Sequence, residues 1–516
     1  MRILDWSLAQ GFGKIPRVEF PRGNRWFTSK RSPFRELYTL AETMQSGDFV
    51  IVIGWDFHEL SSGKHPRMNR GTMVFLDPFP KLSRTIVKEN ALPSPSPDMG
   101  YHAADPEKPG FSWLEEVFTG YSPLLFQNLR VETVAVYQQT GHPWIDQVLS
   151  RLKKRIAELK DDLSTQAVFG NRWLENGLKN LEYYHRQSAL TAPGPGRLQS
   201  VWVLGAGPSL HKRLSEVQTI EADQRYVICA DTALPALTHR GITPDVVVSL
   251  DAQWYSFEHL RLAEVSRAGF WLVDFYTSPL VIRLLSKKQI PFRFVFSRHP
   301  LTHLLLDYLP QIGSLLNNQT NAGLAALSFA KGLSTQLSLG GLDFSFPGFR
   351  SYTSHTYRDL YDELSRSRLH SRDTQDLSIM DRAGPLSVLR FGPPVNERGF
   401  GASGYTSLGE RRDEILNQNH PGPTLWAIED LGRGINRNPS IRNLARAILE
   451  RISVPINSLE EVVHNPDVGI FSPGILGIIS RNQKNTAPGG DILDISRQLQ
   501  QKTIGLLTLL AYNGEV

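Results

Sequence analysis

VWVLGAGPSLHKRLSEVQTIEADQRYVICADTALPALTHRGITPDVVVSLD, residues Val201–Asp251, decides the fold. Three short apolar runs, VWVL, YVICAD and DVVVSLD, are separated by segments with helical spacing. That alternation predicts βαβ units, and therefore an α/β domain with a mainly parallel, Rossmann-like sheet and helices on both faces. In such a sheet ligands bind beyond the carboxyl ends of the strands. Gly205, Asp231 and Asp251 each fall at an end of that kind.

The first of these turns, Gly205-Ala206-Gly207-Pro208-Ser209, has two readings. Glycine lets the backbone turn sharply and approach a neighbour with no Cβ in the way. Pro208 suits the first turn of a helix. Ser209 and the adjacent N–H groups would then face an anion, which the helix dipole favours, so the loop is a candidate phosphate cradle. The plainer reading is a tight strand-to-helix turn. Gly205 and Gly207 also fit the start of a dinucleotide fingerprint, but Leu210 stands where the third glycine belongs, which argues against an oxidoreductase.

Length and composition bound the rest. A chain of 516 residues has room for roughly three domains. No secretory signal is expected after Met1, and no apolar run approaches a membrane span. The single cysteine, Cys229, lies inside a predicted strand, so no intrachain disulfide or cysteine metal cluster can form and a cytoplasmic location is the simplest expectation. A net charge of +5 suits an anionic ligand but is no nucleic-acid footprint.

Along the chain, residues 1–140 read as a small α/β module, with a helix from Pro33 and strands at Phe49–Gly54, Thr72–Leu76 and Val131–Tyr137. Ser29, Lys30 and Arg35 form either a basic pocket or a solvated helix cap. Residues 141–195 read as a helical connector, with Leu152, Ile156, Leu159 and Leu163 and then Phe169, Trp173, Leu178 and Leu181 as apolar stripes. It ends in the Pro/Gly-rich Ala189–Gly196 linker. Residues 196–424 are expected to form the central domain. Within it, Asn317–Asn321 precede an Ala-rich helix, and Asn321 either caps that helix or helps to hold a ligand. The strand Thr335–Leu339 leads to Asp343, and the polar, aromatic stretch 345–403 reads as a lid or active-site excursion. Residues 425–516 are expected to be mostly helical.

The ordered segments SKRSPFREL, DFVIVIG, TQAVFGNRWLENGLKNL, GAGPSL, ICADTALPAL, GITPDVVVSLD and GGLDFSF carry a resemblance. From about residue 25 to about 420 the chain resembles the bacterial motility accessory factor family of flagellin glycosyltransferases. Its GAGPSL–PDVVVSLD core also resembles the 6-hydroxymethylpterin diphosphokinase-like domain. The first resemblance implies a sialyltransferase-like central domain. It also implies transfer of a CMP-activated nonulosonic acid to Ser or Thr hydroxyls of flagellin, with no metal. The second implies ATP and Mg²⁺. A flagellin chaperone without catalysis is the third reading. Sialyltransferases of that type use a GNGPS loop and a later Asn; here Ala206 replaces the loop Asn, and Asp231 stands near the second.

Transfer from a CMP donor needs a phosphate cradle, a base for the acceptor and help for the leaving phosphate. His355, in RSYTSHTY, is the expected base, because imidazole titrates near neutral pH. Asp251 is the second catalytic candidate. Gly205, Ala206, Gly207, Pro208, Ser209, Asp231, Asn321 and Asp343 are the candidate ligand-binding residues. Arg350 and Arg358 would neutralise the departing phosphate. Asp245, which follows Pro244, is expected only to order its turn.

Overall fold

The structure, a computed structural model, describes residues 2–9, 13–26, 35–45, 47–54, 71–91, 100–105, 112–118, 120–126, 128–139, 141–186, 199–296, 313–314, 321–369, 371–382, 386–390, 398–417, 441–465 and 490–513, with Thr302, Leu305, Phe471, Ser472 and Ile475. Ser29, Lys30, the Arg35 side chain, Asn317 and the Ala189–Gly196 linker lie outside them. The chain divides into two compact units, Met1–Ala167 with Asn457–Asn465, and Val168–Ile456 with Pro466–Val516. The division falls inside one helix, Pro143–Asn180, rather than in the Pro/Gly-rich linker.

In the first unit, strands β1 (Arg2–Ala9), β2 (Gly13–Phe20) and β3 (Gly23–Trp26) form an antiparallel sheet. No apolar run announces this sheet, because its strands mix polar and apolar residues. Strands β4 (Asp48–Ile53), β5 (Thr72–Asp77), β6 (Tyr101–Ala103) and β7 (Asn128–Thr133) make a parallel sheet in the order β6-β5-β4-β7. Strand β7 ends before the expected Tyr137, which belongs to the short helix Ala135–Gln138. Leu152, Ile156 and Leu159 pack with Phe49, Ile51 and Val74 in one core of this unit.

The second unit is built on seven parallel strands, β8 (Ser200–Leu204), β9 (Arg225–Ala230), β10 (Val246–Ser249), β11 (Phe270–Asp274), β12 (Phe292–Phe296), β13 (Gly313–Ser314) and β14 (Leu337–Gly340). Their order is β13-β12-β11-β10-β9-β8-β14. The expected α/β sheet is thus present and parallel throughout, flanked by helices. Val201, Val203, Ile228, Val246, Val248 and Leu272 form one face and pack on the helix Ala322–Leu333. Leu204, Val227, Cys229, Val247 and Trp271 on the other face are also buried. Burial on both faces is why these strands read as unbroken apolar runs rather than as alternations. Each fully buried Val, Leu or Ile contributes about 1.5–3 kcal/mol.

The stretch after β14 is more structured than a simple lid. Strands β15 (Phe346–Pro347), β16 (Leu386–Arg390) and β17 (Arg398–Ala402) form a small antiparallel sheet in the order β15-β17-β16. Between them lie the helices Tyr357–Leu364 and Arg372–Arg382, tied by an Arg372–Asp359 ion pair. The helix Ser403–Asn417 returns to the main sheet, where Ile415 joins its core. Helices Ile441–Ile452 and Gly490–Asn513 follow. Among the described residues no helix is long and apolar enough to cross a membrane.

Candidate active site

The site forms at the carboxyl edge of the seven-stranded sheet. The glycines of its first loop have a definite neighbour, the turn that follows β14. Gly205 N–H donates to Gly340 O at 2.8 Å, and Gly207 N–H to Gly341 O at 2.9 Å. Ser209 N–H donates to the Asp343 carboxylate at 3.0 Å, and Gly341 N–H to Ser209 Oγ at 2.9 Å. A Cβ on Gly205 would strike Gly341 O, and one on Gly207 would strike Asp343 Oδ2. These glycines therefore admit this chain's own backbone and its own carboxylate. Asp343 occupies the start of the helix Leu210–Gln218, a position that favours negative charge. Burial raises the Asp343 pKa, while the Ser209 hydroxyl and N–H and the Arg412 charge lower it.

Three loop donors expected to cradle a phosphate are thus already used within the chain. Ala206 N–H has no partner among the described residues, and Pro208 has none to offer. The Ala206 carbonyl accepts the Thr353 N–H at 3.0 Å, which docks the segment after β15 directly on the loop.

Asp231 and Asp251 follow neighbouring strands, β9 and β10, and the charge of Asp251 acts on Asp231. Asp231 follows β9 directly, is 2% exposed, and accepts hydrogen bonds from Ser249 Oγ at 2.6 Å and Thr232 N–H at 2.7 Å. Its carboxyl is pushed up to about 7, chiefly by burial and also by the charge of Asp251. Asp251 is exposed, just beyond β10, and its Oδ1 accepts the Gln253 N–H at 2.8 Å. Its carbonyl accepts from Thr277 Oγ1 at 2.8 Å and Ser256 Oγ at 3.0 Å. Tyr352 reaches the same place: desolvation above all, with Asp251 among its charged neighbours, raises its hydroxyl pKa. Tyr352 adjoins Thr353, which is docked on the loop, so the segment after β15 lies beside both the loop and Asp251.

An acid whose pKa is raised by folding gives stability that is fully present below pH 3.8 and is lost as pH rises through about 7. Asp231→Asn is therefore expected to flatten the decline in thermal stability between those limits. Near pH 8 it should stabilise the fold by roughly 2–4 kcal/mol relative to Asp231. Parallel pH profiles of melting temperature for the two proteins would contradict the buried, proton-retaining state of Asp231.

The remaining candidates divide. Asn321 is a helix cap: its Oδ1 accepts from Gly323 N–H at 2.8 Å and Leu324 N–H at 3.3 Å, so those donors are committed. Asp245 accepts the Val227 N–H at 2.7 Å and orders its strand. Arg358 pairs with Asp362 at 2.9 Å, whereas Arg350 Nη1 is buried with no partner among the described residues. His355 does lie close to the loop, two residues beyond Thr353. Its ring is exposed, however, and stacks on His239 at 3.6 Å, in a left-handed backbone conformation with φ 64°. Partial desolvation and then His239 push its pKa down, with Arg240 and His211 adding and Asp359 opposing.

Two further features of the site are not announced by the sequence. His259, on the helix Tyr255–Arg261, has an Nδ1 without a partner among the described residues, and its pKa is pushed down to about 4, mainly by burial, with Asp251 opposing. A lone histidine on an amphipathic helix gives no signal except its position eight residues after Asp251. The other is a clamp from the helix that carries Trp173. Asn176 Nδ2 donates to Ala252 O at 2.9 Å and Tyr276 O at 3.1 Å, and Asn180 Nδ2 to Phe275 O at 2.8 Å and Thr277 O at 2.9 Å. Both side chains are buried, and together they fix the loops after β10 and β11. Their spacing of four residues, about one helical turn, is the available signal.

Comparison with known proteins bears on the fold that carries this site. Residues 173–348 match the family model described as 6-hydroxymethylpterin diphosphokinase MptE-like. That span opens on the asparagine clamp and runs through the whole sheet to the turn after β15. The fold is similar to that of the MAf glycosyltransferase from Magnetospirillum magneticum AMB-1, with a TM-score of 0.53 and 12% identity, covering 100% of this chain and 93% of that one. The family model agrees with the resemblance of the GAGPSL–PDVVVSLD core to the 6-hydroxymethylpterin diphosphokinase-like domain, and the structural likeness is one of fold. Two uncharacterised proteins of Treponema pallidum (strain Nichols) are also similar. One is 28% identical over 144 residues, which is 28% of this chain and 67% of that protein. The other is 30% identical over 106 residues, 20% of this chain and 21% of that protein.

Proposed function

We propose that the chain is a glycosyltransferase that moves a CMP-activated nonulosonic acid to Ser or Thr hydroxyls of flagellin. The observation that carries this reading is the convergence of Asp231, Asp251 and the docked segment 346–356 on the Gly205–Ser209 loop, at the carboxyl edge of a fold shared with MAf glycosyltransferase. In this reading Asp251 takes the proton from the acceptor hydroxyl as the new glycosidic bond forms. The bond from the sugar to the CMP phosphate breaks, and CMP leaves with its electron pair. Arg350 and the Ala206 N–H stabilise the departing phosphate. Asp231, held near its own titration point, sets the charge beside Asp251. His355 stands beside the loop with its ring stacked on His239, whereas Asp251 stands beside Asp231 at the strand ends, and this reading takes Asp251 as the base.

The family model favours one rival, a diphosphokinase that uses ATP and Mg²⁺. A thermal-shift series with CMP, CDP, AMP, ATP plus Mg²⁺ and NAD separates the two. CMP is expected to raise the melting temperature, with no change on adding EDTA. Stabilisation by ATP alone, abolished by EDTA, would replace the transferase reading with the kinase one.

A further inference from the structure

We propose that the first unit carries a ligand site of its own, at the point where its parallel sheet reverses strand order, and that this site takes an uncharged polyhydroxylated ring, a sugar or the ribose of a nucleoside. In the sheet β6-β5-β4-β7 the chain steps in one direction from β4 to β5 and β6, and β7 then takes the place on the other side of β4. The carboxyl ends of β4 and β7 are therefore the switch point, where an open α/β sheet leaves a crevice for ligands. A cavity of about 630 Å³ lies there, inside the range of roughly 300–1,000 Å³ typical of small-molecule sites. Val52 of β4, Arg130, Glu132 and Thr133 of β7, and Thr39 and Thr43 of the helix Arg35–Thr43 line it. The turn after β7 is fixed in advance: Val134 N–H donates to Ile53 O at 3.1 Å, and Gln138 Nε2 to Thr133 O at 2.8 Å. Strand order and cavity are independent observations, and both point to the same place.

The side chains on β7 set the ligand's chemistry. Arg130 stands opposite Val50 and Glu132 opposite Val52, and both valines are buried in one core. Paired residues of neighbouring strands share a face, so β7 carries charge where β4 carries core. Charges on an edge strand also deter pairing with other chains, but that role needs no cavity beside them. Arg130 donates to Glu132 Oε1 at 3.0 Å and lies 3.6 Å from the Asp48 carboxylate. Hydrogen bonds from Gln45 N–H and Asn128 Nδ2 hold the Asp48 pKa down, so that carboxylate is ionised. Among the described lining residues Arg130 is the one cation, and it already faces two carboxylates. Glu42, exposed on the same helix as Thr39, adds no positive charge. A phosphate therefore finds no uncompensated cation among these residues. The groups left over are acceptors. Glu132 Oε2 and Gln138 Oε1 have no partner among the described residues, and Thr43 Oγ1, which donates to Leu40 O at 2.8 Å, keeps its lone pairs. Acceptors beside the apolar Leu40, Val52 and Val134 complement a ring that offers hydroxyl donors at its rim and C–H groups on its face.

The test uses the full chain in excess CMP, with adenosine and N-acetylglucosamine as probes, followed by saturation-transfer NMR and calorimetry. At least one probe is expected to bind saturably. Adenosine binding would identify a nucleoside as the source of the hydroxyls, and N-acetylglucosamine binding a free sugar. Glu132→Gln should weaken the binding about tenfold or more, the cost of losing a hydrogen bond to a charged group. Thr39→Trp should abolish it, because Thr39 is exposed on the cavity's edge and an indole there would fill the space. Both variants should melt with the wild type, since neither side chain is buried. Binding of neither probe to the wild type would overturn the proposal. Binding that both variants leave intact would do the same, because the ligand would then sit elsewhere. Displacement of the probe by inorganic phosphate would also overturn it, by making the cavity an anion site.

Discussion

Asp251→Asn is expected to lower kcat by about 10²–10⁴-fold, the range that a positioned general base contributes, and to leave CMP affinity within a few-fold of wild type. A base acts on the acceptor proton in the transition state, so its loss appears in kcat rather than in donor binding. The substitution is structurally mild. Asp251 is exposed, and an Asn oxygen can still accept the Gln253 N–H that Oδ1 now accepts. The contacts that hold the loop run through the Asp251 carbonyl, which the substitution does not touch. A melting temperature equal to wild type, together with the kcat loss, is the expected pair of results. Retention of full turnover on flagellin would remove Asp251 from the chemistry and return His355 as the leading base, with His355→Ala as the decisive variant.

Gly341→Ala should have the largest effect on stability, a loss of about 3 kcal/mol or more, measured by thermal unfolding and by the yield of folded protein. Gly341 sits at φ 68°, in the left-handed region, and a Cβ there would overlap the Gly205 carbonyl oxygen. Neither group can move away cheaply, because Gly205 N–H is bonded to Gly340 O and Gly341 N–H to Ser209 Oγ. The same geometry decides the outcome of Gly207→Val. If Gly207 only faced a ligand, the fold would survive the change. A Cβ on Gly207 would instead overlap Asp343 Oδ2 and come within 2.8 Å of Gly341 O, so the fold itself must give way. Gly341→Ala with wild-type stability would mean the two turns are not packed as described.

The sheet is legible in the sequence because it is built from strands buried on both faces. Val201–Leu204, Tyr226–Ala230 and Val246–Ser249 are apolar runs that suit a covered parallel sheet. The positions of Asp231 and Asp251 follow from that sheet by strand-end geometry. What the Gly205–Ser209 loop faces does not follow. Its partner Asp343 lies 134 residues from Ser209, and no local pattern announces that pairing. Asn321 is ambiguous in sequence for a related reason: a cap and a ligand-holding group use the same amide oxygen, and only its bonds to Gly323 and Leu324 separate them.

The asparagine clamp has a practical corollary for how this chain can be dissected. Asn176 and Asn180 satisfy four carbonyls, of Ala252, Phe275, Tyr276 and Thr277, on the loops that border Asp251. A fragment cut at the Pro/Gly-rich stretch near residue 196 would look like a natural module but would lose both amides. Four buried acceptors would then need water, and the loop bearing Asp251 would lose its rigid backing. The smallest portable version of this domain therefore starts upstream of Asn176, within a helix rather than at a linker.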